Sequence, residues 1–440
     1  MSVSIQPRAS ASRSERQVDL LPISALFRFL WRNRQFDGLA LAVGLTFVPI
    51  SIAVTETFLA VALLLRLMNV ARHRASLRVP RIFWIWLIWV GMQLLSWSAS
   101  PEPRAGWGEI RHSLLIGALF LIVPALQGAG QHVAVWQGIF LASTLGSIFL
   151  VSDFVSRLIY YRREISAADD PSLYLRSGGL LNHWMIFATI EILVFAALLA
   201  YSRLYPEEKR FWAPVLAINA VAIVVSLTRM LWICCFLLLV AELVWRRSKW
   251  AWSLTLLPLA LYFVVPAAIR ARVRVSVQPG YYSNAERIQM LGVGWEMIRA
   301  HPLSGIGPGR VGKLYRSFLS PADPIPAFYG HLHNNLVQIA AEFGLPVAAA
   351  GVFLAAALFN DIRKAWRSAV GRENQFLCST ALLGLSVFLV AGGVEYTYGH
   401  SLGLIMLSFV VLSPLNPAVA GRVEEISSRR SSNQAPAPGQ

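Results

Sequence analysis

The chain has 440 residues, 56% hydrophobic and only 14% charged, where a soluble domain carries about 25% charged residues. Long apolar runs recur along the whole length, which excludes an ordinary soluble enzyme and points to an all-α polytopic membrane protein. A formal net charge of +16 would suggest nucleic acid in a soluble chain. No zinc-finger spacing, basic helix or RNA-binding signature accompanies it, and Arg and Lys on cytoplasmic loops account for it.

Residues 1–36 read as a cytoplasmic tail with Arg8, Arg13, Arg16, Arg28, Arg32 and Arg34, and no short apolar core with a cleavage site suggests a removed signal. The run 37–70 exceeds one helix of about 20 residues and breaks at Pro49 and the Ser51/Thr55/Glu56 patch into a pair of short spans. Further spans are expected near 82–98, 109–127, 133–156, 180–202, 211–227, 229–246, 250–269, 334–358, 375–395 and 399–416. That gives about twelve transmembrane helices, nine within 37–269 and three within 334–416, each near bilayer length. Cytoplasmic loops would then hold Arg203, Lys209 and Arg210; Arg246, Arg247 and Lys249; and Arg363, Lys364, Arg367 and Arg372. This obeys the positive-inside rule and leaves both termini cytoplasmic. Residues 417–440 read as a disordered tail. Cys234, Cys235 and Cys378 lie inside apolar runs and read as buried thiols.

Two segments are left on the outer face, 157–179 and a larger loop at 270–333 expected to contain short helices. Arg270, Arg272 and Arg274 break the charge rule there, being either tolerated in a long translocated loop or part of an anion site. Ser283-Asn284-Ala285-Glu286 has the form of a capping box. Ile288, Leu291, Trp295 and Ile298 follow at helical spacing, giving an amphipathic helix that Pro302 ends.

The residues able to carry chemistry converge on that face. Arg229 stands between two apolar runs, as a snorkelling anchor or a partner for an anion, and a guanidinium fork suits phosphate. Arg287 opens the loop helix, and Gly305, Gly307 and Gly309 form a turn whose N–H groups would suit an anion or simply end the helix. His331 and His333 supply two imidazoles without a third zinc ligand of recognisable spacing, so a general base or a donor to a diphosphate fits better than a metal. Asn334 follows them, Arg176 and His183 come from another segment, and Glu342 lies two turns inside the next helix as a functional acid or a structural one. That face offers no ATP or nucleotide sugar, so an enzyme there needs an activated substrate such as a lipid-diphosphate sugar.

These residues resemble the O-antigen ligase/polymerase family, membrane glycosyltransferases of bacterial surface polysaccharide assembly. Three motifs carry the resemblance: Ser226-x-x-Arg229; Arg287 through Trp295 to His301-Pro302-Leu303-Ser304-Gly305-Ile306-Gly307-Pro308-Gly309; and His331-Leu332-His333-Asn334 with Gln338 and Glu342-Phe343-Gly344. Arg176 to Gly179 with Asn182, His183 and Trp184 is similar to a fourth region, with a departure at Trp184-Met185. The resemblance implies a large periplasmic loop in a multi-pass protein of the bacterial inner membrane and a metal-independent, cofactor-free, inverting transfer. It implies His333 as the catalytic histidine, with Arg229 and Arg287 on the diphosphate of an undecaprenyl-linked glycan donor. His331, Asn334, Arg176, His183, Gly307, Arg270, Arg272 and Arg274 would touch substrate. The acceptor would be lipid A–core oligosaccharide in a ligase, another lipid-linked repeat in a polymerase, or a protein. A transporter of lipid-linked sugars is the rival from another class, though no internal repeat supports it.

Overall fold

The computed structural model describes residues 22–164, 174–248, 256–278, 280–326, 329–417 and 419. The expectations for residues 1–21, 165–173 and most of the C-terminal tail lie outside them. The regular structure of the described residues is all helical, with no strand among them. In chain order the helices are α1 Pro22–Arg32, α2 Phe36–Thr46, α3 Ile52–Ala71, α4 Ile82–Ser98, α5 Trp107–Ile122 and α6 Ala129–Glu164. Then come α7 Trp184–Leu204, α8 Lys209–Val225, α9 Arg229–Trp245, α10 Leu257–Val264, α11 Ala267–Ser276 and α12 Tyr282–Ala300. The last are α13 Val311–Phe318, α14 Asn335–Phe343, α15 Leu345–Arg367, α16 Arg372–Gly392 and α17 Ser401–Leu412.

Six stretches among the described residues are long and apolar enough to cross a bilayer: α3, α6, α7, α15, α16 and Pro103–Ala125, which contains α5. Helices α2, α4 and α17 are apolar but shorter, and the start of the expected span 250–269 lies outside the described residues, so the expected count of about twelve is not confirmed. The expected span 334–358 is two helices, because Gly344 at φ +93° breaks it. Helix α6 exceeds its expected span. At about 1.5 Å per residue its 36 residues outreach a hydrocarbon core of about 30 Å. Its far end packs Phe154 and Tyr161 against Leu175, Leu227, Ala268 and Ile269, which props up the outer layer.

Helix α7 is the hub: 83% of its apolar window is buried, and it packs against α6, α8, α9, α16 and α17. Burying apolar side chains from lipid gives little driving force, so small residues and polar contacts between helices do the joining. Ala196, Ala197 and Ala200 permit close approach, and Gly403 of α17 lies where a Cβ would strike Thr189. Ser143 of α6 bonds Glu191 of α7 at 2.7 Å and lies 3.0 Å from Asn219 of α8, tying three helices together.

The starts of α7, α9 and α17 and the end of α16 lie at one end of this bundle, the end that carries the cavity described below. At the other end, Arg203 and Arg246 share Glu242 at 3.0 and 2.8 Å, and Arg372 pairs with Glu207. Chain polarity alone therefore sorts the polar residues of the connections into two sets.

Candidate functional site: a cation-lined cavity

A cavity of about 760 Å³ opens at the first of these ends, within the size range of ligand sites, roughly 300–1,000 Å³. Arg176, His183, Arg229, Arg287, His331 and His333 all line it, so residues from distant parts of the chain converge as the sequence led one to expect. Trp184, Trp232, Glu395 and His400 join them.

Backbone strain marks the same place. Among the described residues, six other than glycine have positive φ, and three of these lie in the site's own segments: Asn182, Leu227 and His333. Leu227 at φ +54° is an outlier for a branched residue. It turns the chain between α8 and α9 so that α9 begins at Arg229. Such conformations persist only where surroundings hold them, and they collect at functional sites.

Glu395 is the centre of the site and was missed in the sequence. Its carboxylate is buried, with Oε1 2.5 Å from His333 Nδ1 and Oε2 accepting from Arg287 Nη2 at 2.8 Å. Arg287 Nη1 also donates to the Val394 carbonyl at 2.5 Å. Burial alone would raise the Glu395 carboxyl. The hydrogen bond from His333, with the positive charge of Arg287 near it, overrides burial and holds it at about 2.

Two asparagines explain how Glu395 reaches His333. Asn334 caps α14, its Oδ1 accepting from Val337 N, while its Nδ2 donates to the Gly393 carbonyl at 2.8 Å. Asn335 Nδ2 donates to Thr397 Oγ1 at 2.8 Å, and its Oδ1 accepts from Tyr398 N at 3.1 Å. The turn after α16 is thus bolted to the start of α14. Asn334 therefore acts as a clamp and does not line the cavity.

His331 stacks edge-on to His333 with ring centroids 4.3 Å apart, and its Nδ1 accepts from the His333 backbone N–H at 3.4 Å. Burial, with His333 beside it, pulls it down to about 4, so it is neutral near pH 7. Burial likewise pulls His400 down to about 4. His183 caps α7 through Nδ1, accepting from Met185 N at 3.3 Å, and burial lowers it too.

The cations that remain are not matched by acids. Arg229 forks onto Asn284 Oδ1 and onto Ser283 Oγ at 3.1 Å, both neutral. This uses the Ser283 hydroxyl that the capping-box pattern assigned to the helix. Helix α12 starts two residues earlier than that cap implies, at Tyr282, with Tyr281 in the N-cap position and no side-chain cap. Arg176 lies over the Trp184 ring at 5.4 Å, and burial, then the charges of Arg272 and Arg229, bring it down to about 10. Arg272 is almost fully buried and donates to Tyr281 Oη at 3.0 Å. No ion pair to Arg176, Arg229 or Arg272 occurs among the described residues. A cavity so built attracts an anion.

Other expected residues lie elsewhere. Gly307 does not line the cavity, and its N–H donates to the Glu342 carbonyl at 3.1 Å. Gly305 N donates to the His301 carbonyl, and Gly309 N to Glu342 Oε1 at 2.9 Å. Glu342 thus serves the glycine turn, a structural role. At Gly305, φ is +67° and a Cβ would overlap the Glu342 backbone. Gly305→Ala is expected to cost about 2–4 kcal/mol, read as a lowered unfolding midpoint. Gly292→Ala, in a helix with open space around it, serves as the control and should cost nothing. Of Arg270, Arg272 and Arg274, none lines this cavity, although Val273 and Ser276 of the same helix and Val277 just after it do. The apolar stripe of α12 also turned out differently. Ile298 is buried with Met290, Val293 and Met297, whereas Ile288, Leu291 and Trp295 are exposed.

The donor atoms of His331, His333 and Glu395 lie within 4.8 Å of one another and are of types that bind metal ions. Glu395 supplies the third ligand the sequence lacked. Both its oxygens are engaged, however, and the guanidinium 2.8 Å away opposes a dication.

Fold and site together define a multi-helix membrane protein with an anion-attracting, histidine-bearing cavity at one end. Residues 214–352, about a third of the chain, match the family described as O-Antigen ligase, a ligase/polymerase class of membrane enzymes, and the match supports membership of that family. The match contains Arg229, Arg287, His331 and His333 and stops short of Glu395. No curated protein sequence matches the chain.

Proposed function

We propose that this protein transfers a glycan from undecaprenyl diphosphate to lipid A–core oligosaccharide, at the periplasmic face of the bacterial inner membrane. The observation that carries the reading is Glu395, one carboxylate that touches both His333 and Arg287. With Nδ1–H directed to Glu395, the basic lone pair of the His333 imidazole is on Nε2. This is the orientation logic of a carboxylate–histidine pair in acyl transfer.

In the proposed step an acceptor hydroxyl oxygen attacks the anomeric carbon of the donor. Its proton passes to His333 Nε2 as the new glycosidic bond forms. The anomeric carbon–oxygen bond to the diphosphate breaks, and the electron pair leaves with undecaprenyl diphosphate. One displacement inverts the anomeric centre. Arg229, Arg176 and Arg287 meet the charge that grows on the leaving oxygen, where preorganised cations are worth most. His183 and His331, neutral near pH 7, add donors and shape without adding charge.

Purified protein supplied with the lipid-diphosphate glycan and lipid A–core tests this reading, with transfer expected in the absence of nucleotide. Chains lengthened on the lipid diphosphate instead would assign the same site to a polymerase. Arg229→Lys is expected to weaken donor binding about 10- to 100-fold, because a point charge cannot replace a two-pronged contact. Donor affinity and unfolding midpoint are measured together, since Arg229 also ties α9 to α12. Wild-type affinity with a lowered midpoint would reduce Arg229 to a structural tie.

A further inference from the structure

The arginines of α11 divide between two faces. Ala268, Ile269 and Arg272 turn inward and are buried, while Val273, Ser276 and Val277 look onto the cavity. Arg270 and Arg274 turn away from both. With Ala267, Ala271, Val275 and Gln278 they line a separate cavity of about 400 Å³. These six positions recur at intervals of three and four and form one helical stripe.

We propose that this stripe is a second anion site, which holds a phosphate on the headgroup of the acceptor lipid while its sugars reach over α11 into the cavity. The acceptor role rests on the transfer reading above. Arg270 and Arg274 are four residues apart, so their stems lie roughly 5–6 Å from each other, and the small Ala267 and Ala271 leave room beside them. Each guanidinium has one modest contact: Arg270 Nη1 donates to the Val265 carbonyl at 3.3 Å, and Arg274 Nε to Tyr262 Oη at 2.9 Å. No carboxylate pairs with either among the described residues.

The neighbouring surface selects a lipid over free phosphate. Phe263 and Val264, just before the Val265 carbonyl that Arg270 holds, are 70% and 83% exposed. Acyl chains would lie there with the phosphate at the arginines. A helix with its side chains is about 10–12 Å thick, a distance that a headgroup of a few sugars spans. The cavity takes the donor diphosphate, and the outer stripe takes the acceptor, so two anionic lipids do not compete for one set of cations.

The test uses full-length protein in phosphatidylcholine nanodiscs, with lipid A, a diphosphorylated disaccharide lipid, as probe. Wild type is expected to retain lipid A about tenfold more strongly than Arg270→Gln/Arg274→Gln, in line with charge-assisted contacts. Wild type should retain enzymatically dephosphorylated lipid A as weakly as the variant retains the intact probe, and the variant should not discriminate between the two. In transfer, the variant should raise the acceptor KM with kcat and donor KM unchanged. Equal retention of lipid A by variant and wild type overturns the site, whatever the transfer assay gives. Displacement of lipid A by inorganic phosphate alone overturns the choice of a lipid ligand. If wild type transfers nothing yet retains lipid A through these arginines, the phosphate site stands and the transfer reading, with the acceptor role, falls.

Discussion

His333→Ala is expected to abolish detectable glycan transfer while the protein still binds its diphosphate donor. Loss of a general base costs about 10²–10⁴-fold, enough to bring a slow lipid-linked transfer below detection. The donor should still bind, because Arg229 and Arg176 do not depend on the imidazole. Alanine is a poor tenant of the left-handed backbone at φ +49°, so His333→Asn is the companion variant. Asparagine tolerates that conformation but cannot accept the proton. Both variants should fail alike in single-turnover transfer. Substantial transfer by His333→Asn would remove His333 as the base.

Glu395→Gln is expected to lower transfer by about 100-fold or more, since misorienting a catalytic imidazole has comparable cost in carboxylate–histidine pairs. The carboxylate accepts from His333 through one oxygen and from Arg287 through the other. An amide has one oxygen to offer. If that oxygen faces Arg287, the amide N–H₂ meets Nδ1, which forces the proton onto Nε2 and leaves no base there. If it faces His333, the N–H₂ confronts the guanidinium. Either way one of the two functions fails. The unfolding midpoint should also be recorded, because removing one partner of a buried pair destabilises. Wild-type turnover by this variant would mean that Glu395 only fills space.

Much of this was legible before the structure. Arg229, Arg287 and His333 stood out because a charged or titratable residue beside an apolar run is costly and therefore conspicuous. Chain polarity then brings them to one end without any knowledge of packing. Glu395 was not legible because it closes the expected span 375–395, where a single carboxylate reads as the end of an apolar run, whereas the helix ends at Gly392 and leaves Glu395 in a turn. Only the contacts of Asn334 with Gly393 and of Asn335 with Thr397 and Tyr398 bring it to His333. The glycine turn was legible as a turn, but its N–H groups are taken by the His301 carbonyl and by Glu342 of α14 rather than by substrate. Helix lengths were read less well, because hydropathy does not see the break at Gly344 or the projection of α6. Nor does spacing reveal which way an arginine on a short helix will turn, as α11 illustrates.

The central claim is that the cavity joins a diphosphate-linked glycan to a lipid acceptor using only this chain's own residues. The most direct measurement is a proteoliposome assay of the purified protein with undecaprenyl-diphosphate oligosaccharide and lipid A–core, with chelator present and nucleotide absent. The predicted result is glycan attached to lipid A–core with inverted anomeric configuration, lost in His333→Asn. Protein that binds the donor yet yields neither this product nor longer lipid-linked chains would contradict the account.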